Sequence, residues 1–204
     1  MDLENPAAFL KSGKRAWALA LLLAAGCSHL PPLTRRSSDA LDPREHVRLG
    51  ESYEAQGMRP EAAAQYEASV RRDPSFVEGW VALGNLAYAD GRFEEAEKSY
   101  RRAVKAAPLN PGALNNLAMT ILARGKGLDE AEALAQRALA QPGDLRMYAL
   151  ETLANIRLRQ KRYEEALDLL DQAEEATPVD NAPVLAQLNT TRDAVRAAEA
   201  GASR

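Results

Sequence analysis

Few side chains in this sequence are of the types that carry chemistry, and their scarcity sets the first limits. A single cysteine, Cys27, excludes an internal disulfide and a cysteine-rich metal site. The two histidines, His29 and His46, fall in a linker-like stretch and at a helix start, with no Cys–carboxylate group beside them that would complete a zinc site or a catalytic triad. The expectation is therefore no enzyme activity, no metal, no cofactor and no small-molecule substrate. Cys27 itself stands in a distinctive setting. Lys11, Lys14 and Arg15 precede the run Ala16 to Ala25, AWALALLLAA, and then comes Gly26. A basic segment, an apolar segment and small residues make a secretory signal, and the apolar run is about half the length a membrane-crossing helix needs.

The residues Leu23-Ala24-Ala25-Gly26-Cys27 resemble a bacterial lipobox, with Leu23 one place early. The resemblance implies cleavage before Cys27 and acylation of its sulfur and amine, since the thiol is an acyl acceptor and the small residues admit an extended backbone to the peptidase. Ordinary secretory cleavage after Gly26 is the alternative reading. Several acyl chains would tether the protein to a membrane, because each buried methylene adds about 0.8 kcal/mol. Ser28 stands where an inner-membrane retention signal would place Asp, so the resemblance implies an outer-membrane lipoprotein facing the periplasm. Segment 1–26 is thus expected to be a signal peptide, and 27–42 the lipidated cysteine and a flexible tether containing Pro31-Pro32.

Beyond Cys27 the polar residues with a recognisable arrangement are amides, and a repeat positions them. From Phe76 to Pro108, apolar and small residues fall at Trp80, Leu83, Gly84, Tyr88, Ala96, Tyr100 and Ala103, broken by Asp90-Gly91. That spacing is helical on both sides of a turn. Gly84, Ala96 and Ala103 let two antiparallel helices approach, and Pro108 ends the second. Thirty-four residues upstream stand Leu49-Gly50, Gly57, Ala62, Tyr66 and Pro74, and as many downstream Leu114, Leu117-Ala118 and Pro142. The third copy carries one extra turn residue within Arg124 to Leu128. The fourth shows Leu150, Leu153-Ala154, Tyr163, Ala166, Leu170, Ala173 and Pro178, with Lys161 in place of the turn glycine.

This 34-residue pattern resembles the tetratricopeptide repeat (TPR) family. The resemblance implies an all-α, right-handed α-solenoid of four TPR hairpins at 43–76, 77–110, 111–146 and 147–180. Ala182 to Glu199 has an apolar side at Val184, Leu185, Leu188, Val195 and Ala198, and is expected to cap the array over 181–199, with 200–204 a disordered tail. Trp80 is expected to fill the seam of its hairpin as core.

In such folds the first helices line a concave surface. Projected onto this sequence, the groove displays Asn85, Tyr88, Asn115, Asn116, Met119, Tyr148 and Asn155, a mixture suited to a protein or peptide partner. Asn85 and Asn116 match the amides of the carboxylate-clamp subgroup. Its cations are missing, because Val81, Tyr148 and Thr152 stand in their places, so a terminal carboxylate would lack charge-assisted bonds. A net charge of −3 gives no footprint for nucleic acid. The expected function is a lipid-anchored envelope scaffold. Pilotin-like assembly of type IV pili and docking of peptidoglycan enzymes are its nearer alternatives, and self-assembly a further one.

Overall fold

The computed structural model describes residues 40–202, and among these every regular element is an α-helix. Cys27, the expected signal peptide and most of the expected tether lie outside the described residues. Helices α1 (Pro43–Ala55) and α2 (Arg59–Arg72), α3 (Val77–Ala89) and α4 (Phe93–Ala106), α5 (Pro111–Ala123) and α6 (Leu128–Leu139), and α7 (Arg146–Arg159) and α8 (Tyr163–Glu175) make four hairpins, followed by α9 (Ala182–Ala202). Each helix packs on its hairpin partner and on the element that follows, as stacked repeats require.

Local sequence sets the ends. Asp42 accepts from the Glu45 backbone N–H at 2.8 Å while the Glu45 carboxylate accepts from the Asp42 N–H at 2.7 Å, a reciprocal cap for α1. Asn110 caps α5 through the Ala113 N–H at 2.8 Å. Each first helix closes on a residue in the left-handed region, Gly57, Gly91 and Gly125 at φ 76, 72 and 69°. In the fourth hairpin that place falls to Lys161 at φ 62°, the conformation its glycine-aligned position demands.

The hairpins close on a single geometric fit. A Cβ on Gly50 would lie 2.3 Å from the Tyr66 ring, and one on Gly84 would lie 2.4 Å from the Tyr100 ring, so only glycine admits tyrosine at this crossing. Tyr66 and Tyr100 are buried there. In the third and fourth hairpins the glycine becomes Ala118 and Ala154, and the facing tyrosine gives way to the smaller Ala135 and Leu170, all four buried. Helix α9 repeats the first-helix pattern. Val184 and Leu188 fall 34 residues after Leu150 and Ala154 and are buried likewise. No second helix crosses α9 among the described residues, and the place held by Gly or Ala in every hairpin takes Leu188.

Arginine–carboxylate pairs bridge each joint. Arg59 meets Asp90, Arg101 reaches Glu130 at 2.7 Å, Arg124 holds Glu94 at 3.2 Å and also Glu97, and Arg157 meets Glu132 at 2.7 Å. Arg192 fastens α9 to Asp171 and Glu174 at 2.8 and 2.7 Å. Burial works to raise the Glu97 pKa, and hydrogen bonds from Arg101 and Arg124 outweigh it and bring the value below the ordinary range. Most of these pairs are solvent-facing and contribute about 0–1 kcal/mol each, so they set the register of neighbours more than they stabilise.

Two expectations are corrected. Helix α9 runs through Gly201 to Ala202, beyond the expected end at 199, so most of the expected disordered tail is helical. A glycine late in a solvent-facing helix among alanines loses only about 0.5–1 kcal/mol relative to Ala, too little to stop it. Trp80 is half-buried and not enclosed core: its indole N–H donates to the Pro74 carbonyl at 2.9 Å, and its ring walls a hollow of about 400 Å3 that small neighbours such as Ala63 and Ser99 leave open.

Gly84→Leu should cost roughly 1–3 kcal/mol through overpacking against Tyr100, which thermal unfolding will register as a lower Tm; an unchanged Tm would contradict the crossing. Lys161→Gly should raise stability by roughly 0.5–1 kcal/mol, since relief of about 1–2 kcal/mol of left-handed strain exceeds the added chain entropy of glycine. Denaturant titration of that variant should move the midpoint upward without changing the slope.

Candidate partner-binding groove

The residues facing away from the hairpin seams on α1, α3, α5 and α7 line a chain of connected hollows. The first, about 290 Å3, is bounded by Val47, Glu51, Glu78, Val81 and Asn85 among others. Asn85 also borders the second, about 250 Å3, with Tyr88, Tyr100, Asn116 and Met119. Tyr88 and Met119 continue into the third, about 420 Å3, which reaches Tyr148, Asn155, Arg159 and Gln187. Shared walls make these one groove running from α1 to α9.

Its centre is an ordered polar cluster. The Tyr100 hydroxyl donates to Asn85 Oδ1 at 2.7 Å, and Asn116 Nδ2 donates to the same oxygen at 3.2 Å. Burial, aided by the neighbouring Tyr88, raises the Tyr100 pKa well above that of a free phenol, so the hydroxyl stays protonated and keeps donating. With Asn85 Oδ1 engaged twice, Asn85 Nδ2 and Asn116 Oδ1 remain as a donor and an acceptor side by side. A peptide backbone presents the complementary pair. Tyr88 is braced edge-on by Phe93 at a ring separation of 5.2 Å, which fixes an aromatic wall beside the amides.

Of the sequence-predicted groove residues, Asn85, Tyr88, Asn116 and Met119 converge on the central hollow, and Tyr148 and Asn155 line the third. Tyr148 and Met119 are 37% and 38% exposed, so their apolar surfaces stand open to a partner. Asn155 donates to the Glu151 carbonyl at 3.1 Å and is half-buried.

Asn115 is the exception and corrects the projection. It is only 5% exposed, it donates to Met119 Sδ at 3.5 Å, and it lines none of these hollows. Val47, Val81 and Glu151, at the same place in the other hairpins, do border hollows, so the enclosure of Asn115 is particular to the third hairpin. Asn115 is therefore packed against Met119 and is not displayed on the groove surface.

Sequence reasoning missed Tyr100, Arg159 and Gln187 as groove residues. Tyr100 reads as pure core, and only its hydroxyl reaches the floor. Gln187 comes from α9: Gln187 Nε2 and Thr191 Oγ1 both donate to the Glu151 carboxylate, at 3.2 and 3.0 Å, and so bring the final helix to the groove's edge. The 34-residue offset of α9 from α7 was the available signal.

A family model described as tetratricopeptide repeat matches residues 47–111, 81–144 and 115–181, which together run through about two thirds of the sequence. The chain belongs to the tetratricopeptide repeat family. Among solved structures, this TPR chain is similar to PilW, described as a widely conserved type IV pilus biogenesis factor, at 19% identity and a TM-score of 0.64 over 77% of this chain and 76% of that one. It is also similar to PilF of Pseudomonas aeruginosa, at 18% identity and a TM-score of 0.62 over 78% and 75% of the two chains. A thermophilic TPR protein of Thermus thermophilus gives 20% identity and a TM-score of 0.63 over 88% and 94%. At these identities the likeness is one of fold. No curated protein matches the sequence.

Proposed function

We propose that this TPR protein is a lipid-anchored scaffold of a bacterial envelope, tethered through Cys27 to the outer membrane and facing the periplasm, that holds a protein or peptide partner in its groove. It works by binding and not by catalysis. The observation that carries the reading is the continuous groove, whose central amides are fixed by Tyr100 with a donor and an acceptor left over. Preorganised polar groups between exposed apolar walls suit a peptide, because little ordering cost falls on the protein side. The sequence before Cys27 supplies the envelope part of the proposal. A narrower reading, assistance in type IV pilus assembly, is favoured by the fold-level likeness to PilW.

The test is a photo-reactive amino acid at Met119 of the full-length protein in its native cells, with a control at Lys105 on an exposed part of α4. A discrete adduct at Met119, absent at Lys105, is expected, and its mass-spectrometric identity decides between pilus assembly and another envelope process. Failure to capture anything at Met119, despite normal expression, would mean that the groove is not the working face. Cys27→Ala should release the folded protein from membranes; retention there would remove the lipid anchor from the proposal.

A further inference from the structure

The two ends of the groove differ in charge. At the α1 end, Glu51 and Glu78 stand on either side of a hollow whose other walls are Val47, Val81, Asn85 and neighbouring small or apolar residues. No arginine or lysine lines this hollow, and neither carboxylate forms an ion pair among the described residues. Arg44 and Arg48 on the same helix lie outside its walls. The contrast with the joints is direct, for there Glu94, Glu97, Glu130 and Glu132 each meet an arginine. At the α7 end the charges balance: Glu151, engaged by Gln187 and Thr191, and Arg159, which makes no ion pair among the described residues, both line the hollow.

Backbone chemistry narrows the partner further. The free donor of Asn85 and the free acceptor of Asn116 need an unsatisfied C=O and N–H, which an extended peptide offers and a helix has already used internally. Neighbouring helices pack about 8–10 Å apart, and an extended chain rises about 3.3 Å per residue, so about every third residue meets a new hairpin.

We propose that the groove binds an extended peptide segment whose arginine or lysine side chain enters the Glu51–Glu78 hollow, with its aliphatic stem against Val47 and Val81. The acidic end fixes the direction of the segment, and the Asn85–Asn116 pair holds its backbone. This deepens the scaffold reading and rests on the groove being the working face. Charge across such a rim contributes more to selectivity and encounter rate than to raw affinity.

The test uses the purified full-length protein and two fluorescent peptides, one alternating leucine with arginine and one with citrulline in place of every arginine. Anisotropy titrations should show the citrulline peptide binding roughly five-fold more weakly, the scale of two exposed ion pairs. The double variant Glu51→Gln/Glu78→Gln, both side chains exposed and so without a core role, should abolish that preference and flatten the salt dependence. Met119→Trp, which fills the central hollow, should weaken both peptides in the native background. If the double variant keeps the arginine preference, or the arginine peptide fails to bind, the proposal falls. If both peptides bind equally and Met119→Trp still weakens them, the groove stands and only the charge assignment is overturned. If Met119→Trp leaves binding intact, the peptide sits elsewhere and both readings fall. Arg35 and Arg36 stand in the sequence between Cys27 and α1; should Arg35→Gln/Arg36→Gln raise peptide affinity several-fold, the hollow's ligand is this chain's own N-terminal segment and the partner assignment is overturned.

Discussion

The whole molecule depends on how closely two helices can cross within a hairpin. At Gly84 the crossing is so tight that a single Cβ would stand 2.4 Å from the Tyr100 ring, and Gly50 with Tyr66 repeats the fit at 2.3 Å. Interiors are packed at nearly crystalline density, so such a fit fixes the axis separation and, with it, the tilt of the next hairpin. It also sets the floor of the groove. The Tyr100 ring fills the seam while its hydroxyl emerges on the far side to hold Asn85. One residue thus transmits the hairpin spacing into the position of a groove-lining amide. In the first hairpin the Tyr66 hydroxyl likewise leaves the seam, donating to Glu54 at 2.9 Å.

No hairpin completes its own core. Val47, Ala62 and Tyr66 pack with Leu86 of the second hairpin, a central cluster runs from Ala87 and Tyr100 through Leu117 and Leu134 to Leu153 and Ile156, and a third joins Met147 and Leu170 to Leu188 and Val195 of α9. Each cluster crosses a joint, so stability is a sum of neighbour terms and the chain folds as a row. The arginine bridges act at the same joints from outside. They add little free energy singly, but a slip of the second hairpin against the third would separate Arg101 from Glu130 and Arg124 from Glu94 and Glu97 together.

The fold was legible because its constraints are local and recur. The Gly or Ala at the crossing, the turn glycines and the terminal prolines are each demanded by backbone geometry, so they read at fixed offsets, and Lys161, at the offset of a turn glycine, adopts the left-handed φ of that place. The groove was legible only in part. Asn85, Tyr88, Asn116 and Met119, placed by the family resemblance, all line the central hollow. Asn115 does not, since the period says which way a side chain points from its own helix and is silent about the neighbouring helix that closes over it. Trp80 fails for the related reason that burial depends on what lies opposite, and Ala63 and Ser99 are small. The end of α9 escaped because a single glycine near a terminus shifts the helix balance by less than the surrounding alanines restore.

Core packing and the groove surface occupy different places in each first helix. The buried places, at Leu114, Leu117, Ala118 and Ile121 in α5, admit little variation because each touches both its hairpin partner and a neighbour. Asn116 and Met119, on the same helix and in the same turns, line the central hollow instead. Coupling between the two sets survives at one kind of residue, the tyrosine that crosses from seam to floor. Where that tyrosine is absent, in the third and fourth hairpins, Asn155 turns to the Glu151 carbonyl of its own helix, and the order of that end of the groove depends instead on Gln187 and Thr191 reaching over from α9. The final helix therefore does two jobs with one face: Val184, Leu188 and Val195 close the core, and the adjoining edge supplies the polar contacts that the missing tyrosine would have made.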